Sequence, residues 1–255
     1  MIKGGCLPKK SYVGMETKDV RFHHEPLIDQ VDAREEYLIS RLDAFFRRIG
    51  VPLGEEAAKK LYIYALELWR WNRAYNLISR KLDWDGLVDL IIDSLTPLSI
   101  KGLLQPGITV LDVGSGAGMP GIPLLICSGG FNLDLLEPVR KKVTFMRHAI
   151  RTLSLEGALV VPFRLEALLK DRKRHDVKYD LVLSRAAMSP IQILYSSAGL
   201  LNEHGRAVIF VGPGDIAGIK RESVKLSQHG IVVKETRSVT RLTGKEKFLV
   251  IANKI

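Results

Sequence analysis

The sequence predicts an α/β fold in which a mostly parallel β-sheet carries helices on both faces. Three observations predict it. Strand-like and helical patterns alternate from residue 106 onward, as they do in chains with parallel sheets. A glycine-rich turn directly follows the first strand-like run, where such sheets bind nucleotides. Before that point the patterns are helical only, so we expect a disordered tail (1–25), a helical region (26–105) and a sheet domain (106–255).

The helical region contains three amphipathic patterns separated by proline and glycine. Apolar residues recur at helical spacing in residues 32–49, 61–77 and 84–98, with breaks at Pro52 and at the Gln-Pro-Gly sequence of residues 105–107. The aromatic residues of the second pattern share this spacing, which favours packing in the core over stacking on bases: Trp69, Trp71 and Tyr75.

The rest of the chain alternates short apolar runs with helical patterns. We predict strands at residues 109–113, 131–136, 158–163, 180–184, 207–211, 230–235 and 247–252. We predict helices at residues 122–127, 139–153, 166–169 and 191–201. Because the last two strands lie close together in sequence, we expect a hairpin-like edge there.

The charge balance predicts an anionic partner. The 255 residues include 38 Lys and Arg against 28 Asp and Glu, giving a formal net charge of +10. Such a balance is typical of proteins that bind nucleic acid. Residues 140–178 hold most of the excess, and the densest part is KDRKRHDVK (170–178). We interpret this run either as a solvated face or as a phosphate-binding loop in which Arg172, Lys173 and Arg174 contact RNA.

The composition also suggests the compartment. Cys6 and Cys127 have no metal-ligand spacing, and two cysteines in a chain of this length fit a reducing cytoplasm better than a disulfide scaffold. No run of about 18 apolar residues is present, and the N-terminus lacks the apolar core of a signal peptide. We therefore expect a cytoplasmic protein without a membrane span or a bound metal.

The glycine-rich turn, LDVGSGAGMPGIP (111–123), predicts a nucleotide-type ligand. A tight turn from a strand into a helix needs glycine where φ is positive and where a ligand contacts the backbone. Residues 116–121 match the dinucleotide fingerprint GxGxxG. The register of Asp112, Gly114, Gly116 and Gly118 instead fits S-adenosylmethionine, whose ammonium and sulfonium favour a nearby acid. No Walker lysine is present, which excludes a P-loop.

A second acid follows the second strand. Glu137, in the sequence DLLEPVRKK, can accept both hydroxyls of a ribose. Both NAD and S-adenosylmethionine carry such a ribose, so this residue does not discriminate between them.

The sequence resembles the 16S ribosomal RNA guanine-N7 methyltransferases, the RsmG or glucose-inhibited division protein B (GidB) family. The resemblance runs from about residue 61 to the end of the chain, and the order of its motifs is more specific than any one motif. The motifs that carry it are WNRAYNL (71–77), IDSL (92–95), the glycine loop (111–123), RKK (140–142), SRA (184–186) and KFLVI (247–251).

This resemblance implies a Rossmann-like S-adenosylmethionine-dependent methyltransferase fold, with a seven-stranded, mostly parallel sheet and an N-terminal helical cap. It implies methyl transfer from S-adenosyl-L-methionine to N7 of a guanine in 16S ribosomal RNA, with ribosomal RNA or the small ribosomal subunit as partner. Arg164 and Arg185 become the candidate catalytic residues. The resemblance and the pattern of the glycine loop together give these candidate cofactor-binding residues: Asp112, Gly114, Gly116, Gly118, Met119, Glu137, Leu165, Glu166 and Arg185.

The chain departs from the family pattern at three places. Asp89-Leu90 stands where relatives have Arg-His, Val211 stands where they have a lysine at the end of the fifth strand, and Ile78 replaces a threonine. These changes remove positive charge and polar groups from the expected RNA side. They leave the cofactor loop intact, so methyl transfer is better supported than the identity of the base.

The chemistry of guanine N7 fits the residues. N7 is a lone-pair nucleophile without a proton, so no general base is required and positioning can dominate catalysis. The glycine fingerprint alone would also allow an NAD-dependent oxidoreductase, but no hydride-transfer site is evident. The lost basic residues leave open a relative with a different RNA substrate or a non-catalytic RNA-binding role.

Overall fold

The computed structural model describes residues 28–170 and 177–255, with side chains from residue 33. Two expectations lie outside the described residues: the disordered tail before residue 26, and phosphate contact by Arg172, Lys173 and Arg174. Within the described residues the chain forms one seven-stranded sheet covered by helices on both faces. The predicted α/β fold is confirmed.

The sheet has the strand order β3-β2-β1-β4-β5-β7-β6. Strands β1 to β5 are parallel, whereas β7 pairs antiparallel with both β5 and β6, which confirms the expected hairpin-like edge. Strands β1 to β7 span Thr109–Val113, Asn132–Leu136, Ala158–Val161, Tyr179–Arg185, Leu201–Val211, Ile231–Ser238 and Phe248–Lys254.

Helices precede and connect these strands. The described helices α1 to α9 span Ile28–Ile49, Glu55–Tyr75, Trp84–Leu95, Gly121–Ser128, Arg140–Thr152, Leu165–Lys170, Pro190–Leu200, Pro213–Gln228 and Thr240–Thr243. A 3₁₀ turn, Thr96–Ser99, follows α3, because Pro97 cannot supply the next backbone donor.

The two faces of the sheet bury two apolar layers. Side chains alternate along each strand, so Val110 points into one layer while Leu111 points into the other. Helices α1 to α5 cover the first face, and α6 to α8 cover the second. Trp71 packs edge-to-face on Phe145 of α5 at 5.7 Å between ring centroids. Trp71 therefore packs in the core between the helical region and the sheet domain, while Trp69 packs on Trp84 of α3.

Helix α8 has no counterpart among the predicted helices. It buries only Ile219 and Leu226 of its 16 residues, and it contains Gly214 and Gly218. The apolar stripe is too sparse to read from the sequence, because the helix covers the sheet edge with little of its surface. Its first turn is held instead by a capping interaction, in which the Asp215 carboxylate accepts the Gly212 N–H at 2.9 Å.

The strand order also places the candidate site. The direction of strand addition reverses between β1 and β4, which makes their carboxyl ends the topological switch point of the sheet. Val113 pairs in register with Leu136 of β2 and with Ser184 of β4. The residues that follow these strands therefore meet at one edge.

Candidate active site

The glycine loop connects β1 to α4 with three glycines at positive φ. Gly114, Gly116 and Gly118 have φ values of +67°, +61° and +94°. A Cβ at Gly114 would lie 2.2 Å from the Cβ of Ala187, in the segment after β4. The first glycine is therefore required by contact between two parts of the chain, because residue 187 lies where a side chain would be.

Gly116 differs from its neighbours because its free side is open. A Cβ there would meet nothing closer than the Gly114 carbonyl oxygen at 4.0 Å, among the residues that the structure describes. A Cβ at Gly118, by contrast, would lie 2.4 Å from the Ile122 side chain. Gly116 is thus the loop position at which a ligand can approach the backbone.

Glu137 fixes the loop to the end of β2. Its Oε2 accepts the Gly116 N–H at 3.0 Å, and its Oε1 accepts the Val139 N–H at 2.9 Å. Lys142 Nζ lies 3.8 Å from the same carboxylate. Glu137 is buried, with 4% of its residue surface exposed. Each carboxylate oxygen has a second lone-pair direction, so Glu137 can still accept a ribose hydroxyl.

Asp112 lies behind the loop and is fully buried. Its Oδ2 accepts the Gly121 N–H at 2.9 Å, which satisfies a free donor at the start of α4. Its Oδ1 is buried without a hydrogen-bond partner among the described residues. Burial raises the pKa of Asp112 to about 7, against the opposing effects of the Gly121 hydrogen bond and the charge of Arg185.

This burial predicts an unusual pH dependence of stability. In the unfolded chain Asp112 has a pKa of about 3.9, so the folded chain retains a proton that the unfolded chain releases. The stability contributed by this group therefore falls as the pH rises from about 4 to about 7. We expect Asp112→Asn to be more stabilising at pH 8 than at pH 4 by about 4 kcal/mol, measured by urea denaturation.

Asp180 provides the control of opposite sign. Partial burial acts to raise its pKa, but hydrogen bonds from Thr109 and Asn202 outweigh burial and lower the pKa. Asp180→Asn should therefore cost more stability at pH 8 than at pH 4. If both variants show the same pH profile as the unsubstituted chain, burial does not control the protonation of Asp112.

Arg185 ends β4 and is held by two other elements. Its Nη1 donates to the Leu90 carbonyl of α3 at 3.1 Å, and its Nη2 lies 3.6 Å from the Met119 sulfur in the glycine loop. Desolvation by burial lowers the pKa of Arg185, while Tyr64 and Asp112 act to raise it. The arginine of the SRA motif thus lies against the glycine loop.

Tyr64 is a site residue that no motif revealed. Its hydroxyl donates to the Ala117 carbonyl of the glycine loop at 2.8 Å, and its side chain is fully buried. Burial strongly raises the pKa of this phenol. In the sequence Tyr64 reads only as another apolar position of α2, because nothing local shows that its hydroxyl reaches the loop.

The third strand brings three further candidates to the same edge. Leu136 of β2 pairs with Val161, the last residue of β3. Leu165 is buried, whereas Arg164 and Glu166 are exposed beside it. Within the described residues, no hydrogen bond or ion pair joins the side chains of Arg164 and Glu166 to the glycine loop. They share the edge with the other candidates without forming part of the same bonded network.

Two further motifs act as structural links. Lys247 of KFLVI forms an ion pair with the buried carboxylate of Asp93 in IDSL. Asn72 of WNRAYNL accepts the Ile78 N–H at 2.9 Å through Oδ1, which closes the turn after α2. The first of these bonds joins the residue before β7 to α3, and the second is local to the end of α2.

Known proteins match both the sequence and the fold. The family model described as rRNA small subunit methyltransferase G (GidB) matches residues 57–247. The chain belongs to the GidB family. Within it, the ribosomal RNA small subunit methyltransferase G of Syntrophotalea carbinolica is 30% identical over 213 residues, which cover 83% of this chain and 96% of the relative. The Alteromonas mediterranea protein of the same name is 34% identical, covering 84% of this chain and 93% of the relative.

A solved structure places this GidB chain among methyltransferase folds. Magnesium protoporphyrin IX methyltransferase from Synechocystis PCC 6803, with bound S-adenosylmethionine, superimposes with a TM-score of 0.51 at 18% identity. The alignment covers 80% of this chain and 99% of that one. Such a likeness concerns the fold alone. The GidB match spans the glycine loop, Glu137 and Arg185, whereas α1 lies before it.

The described residues contain no membrane span and no metal cluster. No helix in this part of the chain is long and apolar enough to cross a bilayer. No group of three or more His, Cys, Asp and Glu side chains is arranged there to hold a metal ion.

Proposed function

We propose that this chain transfers the methyl group of S-adenosyl-L-methionine to N7 of a guanine in 16S ribosomal RNA. Membership of the GidB family supports the reaction class. The observation that carries the proposal is the open backbone at Gly116, held by Glu137 at the switch point of the sheet. Arg185 adjoins the same loop through Met119.

The residues at this edge fit the proposed cofactor. Gly116 leaves room for a ligand, and Glu137 retains lone pairs for ribose hydroxyls. The unpartnered Oδ1 of Asp112 offers an acceptor behind the loop. S-adenosylmethionine would supply an electrophilic methyl group on a sulfonium. We propose that it is held by Asp112, Gly114, Gly116, Gly118, Met119, Glu137, Leu165, Glu166 and Arg185.

The proposed reaction requires positioning and not proton removal. Guanine N7 presents a lone pair, so the chain must orient the base and exclude competing water. The Arg185 guanidinium can donate hydrogen bonds to a guanine edge or a phosphate. Arg164 is exposed at the same edge, which supports a role in contacting the RNA. We assign these two arginines as the catalytic pair, acting by orientation and electrostatics.

The substrate is ribosomal RNA, either free or within the small subunit, in the cytoplasm. We divide the chain into a helical cap at residues 26–105 and a methyltransferase domain at residues 106–255. The cap supports the cofactor loop through the hydrogen bond from Tyr64. It supports Arg185 through the carbonyl of Leu90.

The test is methyl incorporation. We expect the chain, incubated with labelled S-adenosylmethionine and small ribosomal subunits that lack their native guanine-N7 methylation, to produce a single 7-methylguanosine. Digestion and mass spectrometry would locate it. Protein-free 16S RNA in parallel shows which form is the substrate. Cofactor binding without incorporation into either RNA would contradict the proposal and favour a non-catalytic role.

A further inference from the structure

Asp89 on α3 binds two cations that come from distant parts of the chain. Its Oδ1 accepts from Arg41 Nη2 of α1 at 2.7 Å, and its Oδ2 accepts from Lys245 Nζ at 2.8 Å. The side chains of Arg41 and Lys245 are 36% and 59% exposed, while that of Asp89 is 23% exposed. The cluster therefore lies at the protein surface, with Asp89 less exposed than Arg41 and Lys245.

The cluster lies beside the candidate active site. Strand β7 is antiparallel and begins with Phe248 opposite Val211, the last residue of β5. Lys245, three residues earlier, is thus at the carboxyl edge of the sheet. Next to Asp89, the carbonyl of Leu90 accepts a hydrogen bond from Arg185. One turn of α3 therefore holds both the cation pair and the arginine of the SRA motif.

The cluster has a net charge of +1 and retains donors. Among the described residues, Arg41 donates to Asp89 and to the Tyr37 hydroxyl, which uses two of its five N–H groups. Lys245 donates one of its three ammonium hydrogens to Asp89. Partial burial acts to raise the pKa of Asp89, but hydrogen bonds from Lys245 and Arg41 outweigh it and lower the pKa. The carboxylate is therefore charged and holds both cations in place.

Stability alone does not account for this arrangement. Exposed ion pairs of this kind contribute about 0–1 kcal/mol each to folding. Asp89 brings two cations from distant parts of the chain to one point, and the net charge there is positive.

We propose that Arg41 and Lys245 form a phosphate-binding pair for the substrate RNA beside the methylation site, with Asp89 as their positioning residue. The pair would contact the backbone near the target base, where a fixed contact sets the register of the RNA. This inference rests on the proposed function, since it assumes that the substrate is RNA. It assigns a role to α1, which lies before the part of the chain that matches the family.

The salt dependence of RNA binding tests the pair. Binding of the unmethylated small subunit is measured with S-adenosylhomocysteine present, over a range of salt concentrations. We expect Arg41→Gln and Lys245→Gln each to reduce the slope of log K against log salt by about 0.7–0.9, because each loses one phosphate contact. Arg41→Lys, which keeps the charge, should keep the slope.

Lys225 is the matched control. It is 66% exposed on α8 and pairs with Glu222 at 3.3 Å, so it is also a surface lysine beside an acid. Lys225→Gln should leave the slope unchanged. Equal slopes for Arg41→Gln, Lys245→Gln and Lys225→Gln would overturn the proposal, with thermal melting confirming that each variant is folded.

Asp89→Asn distinguishes a positioned pair from general charge. Removing an anion would strengthen RNA binding if only long-range electrostatics mattered. We expect instead a loss of about threefold to tenfold in affinity, because the two cations lose their common partner. Tighter binding would overturn the positioning role. If the unsubstituted chain methylates the subunit but the variants all show its salt slope, the phosphate-binding pair is wrong and the proposed function stands. If the unsubstituted chain neither binds nor methylates the subunit, both proposals are wrong.

Discussion

Replacing Gly116 by alanine should weaken S-adenosylmethionine binding by about 100-fold, or about 2.7 kcal/mol, while the chain stays folded. Among the described residues, the new methyl group meets no atom within 4 Å other than the Gly114 carbonyl oxygen at that limit, so the described fold has room for it. It projects into the opening where we place the cofactor. The positive φ of +61° adds a backbone strain of about 1–2 kcal/mol.

Gly129→Ala separates the two effects. Gly129 has a φ of +59° and, among the residues that the structure describes, no neighbour within 4 Å, but it lies after α4, away from the loop. Its ψ of −178° is open essentially to glycine alone, so its substitution costs backbone strain without reaching the cofactor. Calorimetric titration with S-adenosylmethionine and thermal melting should show a loss of stability in both variants and very different affinities. Similar affinities in the two variants would mean that Gly116 does not face the cofactor.

The sequence predicted the strand, turn and helix around the loop best, because the turn depends on local backbone geometry. Gly116 follows a buried strand in the register of a ligand-binding turn, and the structure leaves its free side open. The same register does not explain Gly114. That glycine is required by Ala187, which is 73 positions along the chain and meets it only after β1 and β4 pair.

The partners of the site escaped prediction for the same physical reason. Leu90 contributes a carbonyl and not a side chain, so its identity says nothing about its bond to Arg185. From the sequence alone, Asp89 is only an acid at a position where a cation was expected. In the structure it binds Arg41 and Lys245, which are 48 and 156 residues away in the sequence. Long-range polar contacts leave no periodic pattern, whereas the alternation of strands and helices does.

The second large effect is expected at Arg185. We expect Arg185→Gln to lower kcat by about 100-fold to 1000-fold, the range observed when a preorganised electrostatic donor is removed. The affinity for S-adenosylmethionine should fall by a smaller factor, because Arg185 is one cofactor contact among several and the loop glycines and Glu137 are unchanged. The physical reason is that Leu90 and Met119 already hold the guanidinium in place. It can therefore orient a guanine without a further loss of side-chain conformational entropy.

Two variants decide whether this effect is specific. Arg185→Lys keeps the charge but loses the planar fork of donors, so it should recover only part of kcat. Arg206→Gln removes a half-buried arginine that also donates to a loop carbonyl, but at the opposite end of the sheet, where Arg206 pairs in register with Leu181. It should retain full kcat.

Single-turnover methylation measured at saturating cofactor separates chemistry from binding. If Arg185→Gln raises the dissociation constant for the cofactor and leaves the single-turnover rate unchanged, Arg185 acts only in cofactor binding. Other groups must then orient the lone pair of N7.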